Sequence, residues 1–247
     1  MIGEAVILAA GLGTRLGGLA NGRPKGFVEV HGTSLIERSI EKLFAAGIER
    51  IVIGTGYRSD CYEALAAQDR RLVCVHNPDY ASTGSMSTLL AAAEAIRGDF
   101  LLLESDILYA RRGLTALIEA AAGNLILASS ATNSGDEVFI EMAADGRLRN
   151  MSKQRAALET ADAELVGITR LSPAALATLC SVASRLLPNQ PRLDYETCLV
   201  AAGKAIDIRV LRLDDFPWCE IDTAEHLQRA ISLVLPRVLR EEAHASS

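Results

Sequence analysis

The chain has 247 residues, 49% of them hydrophobic, with 25 Lys and Arg against 31 Asp and Glu for a formal net charge of −6. That apolar content fills one large core or two tightly packed lobes, and the acidic balance excludes the basic footprint of a binder of long nucleic acids. The five cysteines, Cys61, Cys74, Cys180, Cys198 and Cys219, are odd in number and lack ligand spacing, which excludes a disulfide scaffold or a cysteine-zinc site; with no basic leader or long apolar span, no membrane partner and a cytoplasmic location are expected.

Residues 4–10 read as a buried strand, followed by a glycine-rich loop and a helix over 35–44 with apolar positions at helical spacing. Gly47 stops that helix before a strand at 51–53. A helix over 61–67 precedes a strand at 72–75, residues 85–96 have helical spacing, and 100–103 are strongly apolar. Next, apolar runs at 138–142 and 148–151 flank Asp145-Gly146, a hairpin turn. Residues 165–168 read as a strand, 173–187 as a helix, and Pro188-Asn189-Gln190-Pro191 as a loop. A helix beginning near Asp194, a strand at 206–211 and a C-terminal helix opened by Asp222-Thr223-Ala224-Glu225 complete the pattern. The strand/helix alternation implies an α/β fold with several buried strands. No internal repeat or long linker divides it, so residues 1–241 are expected to form a single domain, with 242–247 a flexible tail.

The opening Leu8-Ala9-Ala10-Gly11-Leu12-Gly13-Thr14-Arg15, with Pro24-Lys25 beyond, suits a triphosphate. Glycines permit close backbone approach, successive amides donate to phosphate oxygens, and Arg15 and Lys25 offset developing charge. It lacks the Gly-x-x-x-x-Gly-Lys-Ser/Thr spacing of a P-loop. Asp106 follows an apolar strand, where a carboxylate reaches a nucleotide cleft.

These segments, with Pro24-Lys25-Gly26-Phe27-Val28-Glu29-Val30, Leu101-Leu102-Leu103-Glu104-Ser105-Asp106 and Trp218-Cys219-Glu220-Ile221-Asp222, resemble the sugar-phosphate and phosphocholine nucleotidylyltransferases. The short length and the Trp218 to Asp222 segment are most similar to the cytidylyltransferases of phosphocholine or 2-aminoethylphosphonate. The resemblance implies a Rossmann-like nucleotidyltransferase fold, with a predominantly parallel or mixed central sheet and an inserted β-hairpin region whose acceptor-side elements span about 131–200. It implies a triphosphate loop at Leu8, Ala9, Ala10, Gly11, Gly13, Thr14 and Arg15, with Lys25 on the reacting phosphates. Magnesium (Mg2+) would be held by Asp106 and Asp222, with Glu220 beside them, making Lys25, Arg15, Asp106 and Asp222 the catalytic set. Asn77 to Ser87 occupies the place of a nucleotide loop, giving Ser82, Thr83, Gly84, Ser85 and Ser87 to base or ribose.

The resemblance implies transfer of CMP from CTP to a small phosphonate or phosphate acceptor with release of pyrophosphate. Head-group candidates are Asp136, Glu137, Lys153, Tyr195 and Glu196: acids for an ammonium, the Tyr195 ring for a cation–π contact and Lys153 for a phosphonate. With aromatics at only 4%, 2-aminoethylphosphonate is expected over a trimethylammonium acceptor. Phosphocholine or another small phosphocompound, a sugar 1-phosphate, and a nucleotide-sensing domain without turnover stand as alternatives. His31, His76, His226 and His244 have no metal spacing and read as turn, packing or surface residues. Trp218 would pack against the metal-bearing segment or touch ligand, and the exposed hairpin allows a homodimer.

Overall fold

A computed structural model describes residues 2–15, 20–121 and 123–244. In chain order the strands are β1 (Glu4–Ala9), β2 (Glu29–Val30), β3 (Thr33–Ser34), β4 (Arg50–Thr55), β5 (Leu72–His76), β6 (Phe100–Glu104), β7 (Ile107–Tyr109), β8 (Leu125–Ser129), β9 (Phe139–Met142), β10 (Leu148–Ser152), β11 (Ala163–Leu171), β12 (Arg209–Leu213) and β13 (Trp218–Glu220). The helices are α1 (Leu35–Ala45), α2 (Ser59–Ala66), α3 (Ser85–Ala92), α4 (Arg112–Glu119), α5 (Pro173–Leu186), α6 (Tyr195–Ala202), α7 (Ala224–Arg229) and α8 (Leu235–His244).

The main sheet is mixed. β5, β4, β1 and β6 run parallel side by side, and β11 then pairs antiparallel with β6, β8 and β9, while β12 joins β8 in parallel and β10 closes a hairpin with β9. Nearly continuous apolar runs make the parallel half, because both faces are covered. Along β1, Ala5, Ile7 and Ala9 enter one core with α1 and α8, and Val6 and Leu8 enter the other with α3, α5 and α6. A Ser34/Glu37 capping box opens α1, as its sequence requires.

The hairpin forms around Asp145-Gly146, where Gly146 donates its amide to the Ala143 carbonyl. The long β11 carries Gly167 at φ +82°, and its pairing with β8 shifts register between Leu165 and Thr169. A side chain there would be strained and its Cβ would lie 2.8 Å from Glu104 Oε2. The glycine thus leaves room for a carboxylate at the end of β6.

Six elements go beyond the sequence reading, among them the two-residue strands β2 and β3. β8 is buried throughout yet only five residues long, α4 begins directly after β7, and β7 and β13 are three residues each. The predicted flexible tail is corrected at its start: α8 continues through His244, where Glu242 accepts the Arg111 amide and pairs with Lys42. Residues 245–247 lie outside the described residues. No helix among them is long and apolar enough to cross a membrane.

Candidate active site

The sheet order reverses at β1, which has β4 on one side and β6 on the other. A crevice opens at such a point beyond the carboxyl ends of the strands. Here it forms a cavity of about 260 Å³, reached by Ala9 to Gly11 after β1, by Glu104 and Asp106 after β6, and by Glu220 of β13.

The acids come together through a two-stranded ladder. Antiparallel pairing sets Glu220 opposite Ile107 and Cys219 opposite Leu108, and the Ile221 amide donates to the Asp106 carbonyl at 3.0 Å. Trp218 fastens the ladder to the main sheet, its indole N–H donating to Ser129 Oγ at 2.7 Å. Lys25, carried by the short turn after Pro24, places its ammonium among Asp106, Asp222 and Glu220, the last at 3.1 Å. Arg15 pairs with Asp222 from the loop side.

Burial opposes the charged Lys25 ammonium, but the three carboxylates outweigh it and raise its affinity for a proton well above the usual lysine value. Burial likewise opposes ionised Asp222, yet Lys25 and Arg15 hold its carboxyl below the ordinary range. The other acids move the opposite way. Burial, with Asp106 and Glu104 adding repulsion, pushes Glu220 up to about 9. Burial with Asp106 and Glu196 pushes Glu104 up to about 8, against the hydrogen bond from Tyr195 Oη at 2.7 Å. Burial also lifts Glu196 to about 7. Glu104, Glu196 and Glu220 therefore hold protons more tightly than ordinary carboxyls, and an entering cation would favour their release.

Two groups of three carboxylates have oxygens within 4.8 Å of one another: Glu104, Asp106 and Glu220, and Asp136, Glu220 and Asp222. An all-oxygen donor set suits a hard divalent ion, and the ammonium seated between these groups shows that the position draws a cation.

Leu8, Ala9, Ala10, Gly11, Lys25, Thr83, Gly84 and Ser85 line the cavity, as do Asp136, Glu137, Lys153, Tyr195 and Glu196. Gly13 (φ +61°) and Thr14 lie in the loop outside this lining, and the rest of that loop, residues 16–19, lies outside the described residues. Ser82 and Ser87 also stand away from the lining, Ser82 donating its hydroxyl to the Asp79 carbonyl. Tyr195 is 2% exposed and meets the site as a hydrogen-bond donor to Glu104, not as an open ring. Asp136, expected beside the acceptor, also lies with Glu220 and Asp222.

Glu104, Glu164 and His226 carry more than the sequence reading gave them. Glu104 could have been found as an acid directly closing an apolar strand. Glu164, 2% exposed, accepts the Thr132 amide and hydroxyl and so ties down the loop after β8. His226 accepts the Asp222 amide on Nδ1 at 3.3 Å and lies 3.6 Å from Asp136; its signal was its place one helical turn after Asp222.

Residues 5–185 match the MobA-like NTP transferase domain. The chain is 29% identical over 233 residues, 89% of its length and 37% of the relative's, to the CMP-5'-(3-aminopropyl)phosphonate synthase of Streptomyces rubellomurinus. It is 35% identical over 105 residues, 42% of its length and 43% of the relative's, to the 2-aminoethylphosphonate cytidylyltransferase of Lancefieldella rimae. The chain thus matches less than half the length of either relative. In fold it is similar to the CTP:phosphocholine cytidylyltransferase of Streptococcus pneumoniae (TM-score 0.77, 21% identity, 93% of this chain and 98% of that one) and to the inositol-1-phosphate CTP transferase of T. maritima (TM-score 0.80, 19% identity, 96% of each). The family match covers residues 5–185, most of the chain, and the chain belongs to the MobA-like NTP transferase family of nucleotidyltransferases.

Proposed function

We propose that this chain transfers CMP from CTP to 2-aminoethylphosphonate, or a close ω-aminoalkylphosphonate, and releases pyrophosphate. The observation that carries the reading is the acidic lining of the cavity: eight Asp and Glu side chains face it against two lysines, Lys25 and Lys153. Such a wall suits an acceptor that brings its own ammonium, and disfavours a neutral sugar. Similarity to an aminopropylphosphonate synthase over 89% of the chain supports the same acceptor class.

In this reading Leu8 to Gly11 and Gly13 to Arg15 present backbone amides to the triphosphate, and Thr83 and Gly84 face the nucleoside. Lys25 leaves its carboxylates for the reacting phosphates. An acceptor phosphonate oxygen forms a bond to the α-phosphorus of CTP as the bond from that phosphorus to the bridging oxygen breaks, and the electron pair leaves with pyrophosphate. The acceptor is already anionic, so no protein base is needed. Lys153 is the partner for the phosphonate, and Glu196, Glu137 and Asp136 for the ammonium, while Tyr195 holds Glu104. Asp106, Asp222 and Glu220 are the residues that would hold magnesium, which supplies charge neutralisation and alignment of the phosphates when bound.

One observation favours phosphocholine as a second acceptor. Despite the low aromatic content, Tyr62, Tyr80 and Trp218 line the cavity, and aromatic lining suits a quaternary ammonium. The test is magnesium-dependent pyrophosphate release with CTP, UTP, ATP, GTP and dTTP against 2-aminoethylphosphonate, phosphocholine, phosphoethanolamine, glycerol phosphate and sugar 1-phosphates. Selective turnover of CTP with 2-aminoethylphosphonate supports the proposal. Preference for phosphocholine moves the acceptor, and nucleotide binding without turnover of any pair rejects the reaction.

A further inference from the structure

The helix that carries Tyr195 and Glu196 does not cap itself. Asp194 occupies the N-cap position of α6 but makes no capping hydrogen bond with its side chain, so the Tyr195 amide, one of the orphan donors of a helix start, needs an acceptor from elsewhere. Ser85 provides it. Its Oγ accepts the Tyr195 amide at 3.0 Å and lies 3.5 Å from Asp194 Oδ1.

The same segment is fixed twice more. Met86 donates its amide to the Leu193 carbonyl at 3.1 Å, and Gly84 packs so closely on that carbonyl that a Cβ would come within 2.3 Å of its oxygen. Ser85 and Gly84 belong to the loop expected to face the nucleoside; Tyr195 and Glu196 belong to the acceptor side. From Tyr195 the connection runs by one hydrogen bond to Glu104, whose carboxyl groups with Asp106 and Glu220. Glu196 also has a buried carboxyl oxygen without a hydrogen-bond partner in the same cavity, so a displacement of α6 moves a free acceptor-side group as well as Glu104.

We propose that Ser85 is a positioning residue that caps α6 from the nucleotide loop, setting Tyr195, Glu104 and Glu196 in register and making acceptor use depend on the state of that loop. The kinetic part rests on the CTP and aminoalkylphosphonate reading above; the cap itself does not. Ser85→Ala removes the acceptor of the Tyr195 amide, and Ser85→Thr keeps a hydroxyl.

The experiment combines amide hydrogen exchange at Tyr195 with steady-state kinetics of the full chain. In Ser85→Ala, the Tyr195 amide should exchange roughly five- to tenfold faster, the loss expected for a helix cap. The KM for 2-aminoethylphosphonate should rise about tenfold, several times more than any rise in the KM for CTP, and Ser85→Thr should restore both exchange and acceptor KM. Unchanged exchange overturns the cap. Faster exchange with an unchanged acceptor KM overturns the positioning role. An equal rise in both KM values also overturns it and makes Ser85 a nucleotide contact. Absence of turnover by the unmutated chain on any pair defeats the reaction reading instead, and the cap is then decided by exchange alone.

Discussion

Replacing Lys25 by Met removes the ammonium that stands among Asp106, Glu220 and Asp222 while preserving most of its apolar stem. The Lys25 side chain is 14% exposed and its partners 14%, 29% and 4%, so water screens the remaining carboxylates poorly. Removing one partner from a buried ionic group costs about 3–5 kcal/mol. Burial and its acidic neighbours push the Glu220 carboxyl toward its neutral form, which relieves part of the repulsion and sets the expectation at about 3 kcal/mol, the lower end of that range. For a chain of this size that lowers the melting temperature by about 6–12 °C. The assay is thermal unfolding of Lys25→Met and the unmutated chain in EDTA and in several millimolar magnesium. Magnesium should restore most of the loss, because a divalent ion replaces the ammonium among the same oxygens, while turnover remains at least about a hundredfold down for want of a cation on the phosphates. A melting temperature within about 2 °C of the unmutated chain in EDTA, or a loss that magnesium leaves untouched, refutes the cation-holding role of this cluster.

Asp106→Asn and Asp222→Asn should lower magnesium-dependent turnover by about two orders of magnitude or more with little change in folding, read from kcat beside circular dichroism; near-normal kcat removes the assignment. The raised Glu104 and Glu220 carboxyls, at about 8 and 9 against an ordinary 4.5, hold protons in the folded chain that the unfolded chain has released. Unfolding in EDTA therefore releases protons, so stability should fall as pH rises from about 4.5 to 9, and Glu104→Gln should flatten the slope; urea midpoints across that window decide it. Magnesium must displace the same protons, so its affinity should rise with pH from 6 to 9, measured by calorimetry in buffers of different ionisation enthalpy. Gly167→Ala should cost about 1–2 kcal/mol from its left-handed backbone and lower turnover by moving Glu104; unchanged kcat would separate Glu104 from the chemistry.

The parallel half of the sheet was legible because β1, β4 and β6 hold apolar runs between turn signals, and α1 because its apolar positions recur at helical spacing. β7 and β13 were not, since three residues carry no period, and their pairing depends on strands from distant parts of the chain. β8 follows an alanine- and glycine-rich stretch that reads equally well as the end of a helix, and only β11 and β12 decide it. At the site, the glycine loop, Lys25 and Asp106 stood out by residue type and position, and Asp222 through the resemblance to the nucleotidylyltransferases. What they do to one another did not: a lysine held by three acids, Glu104 fitted under Gly167, and Tyr195 turned from a ring to a hydrogen-bond donor are products of tertiary packing. Ser85 shows the same limit, because a hydroxyl in a serine-rich loop gives no local sign that it caps a helix more than a hundred residues away.

The most direct test of the account is phosphorus NMR of the chain incubated with CTP, magnesium and 2-aminoethylphosphonate. The account predicts pyrophosphate in equal amount to a new species in which a phosphonate and a phosphate phosphorus are coupled through one bridging oxygen. Unchanged CTP, or hydrolysis to CMP with the phosphonate signal intact, contradicts it.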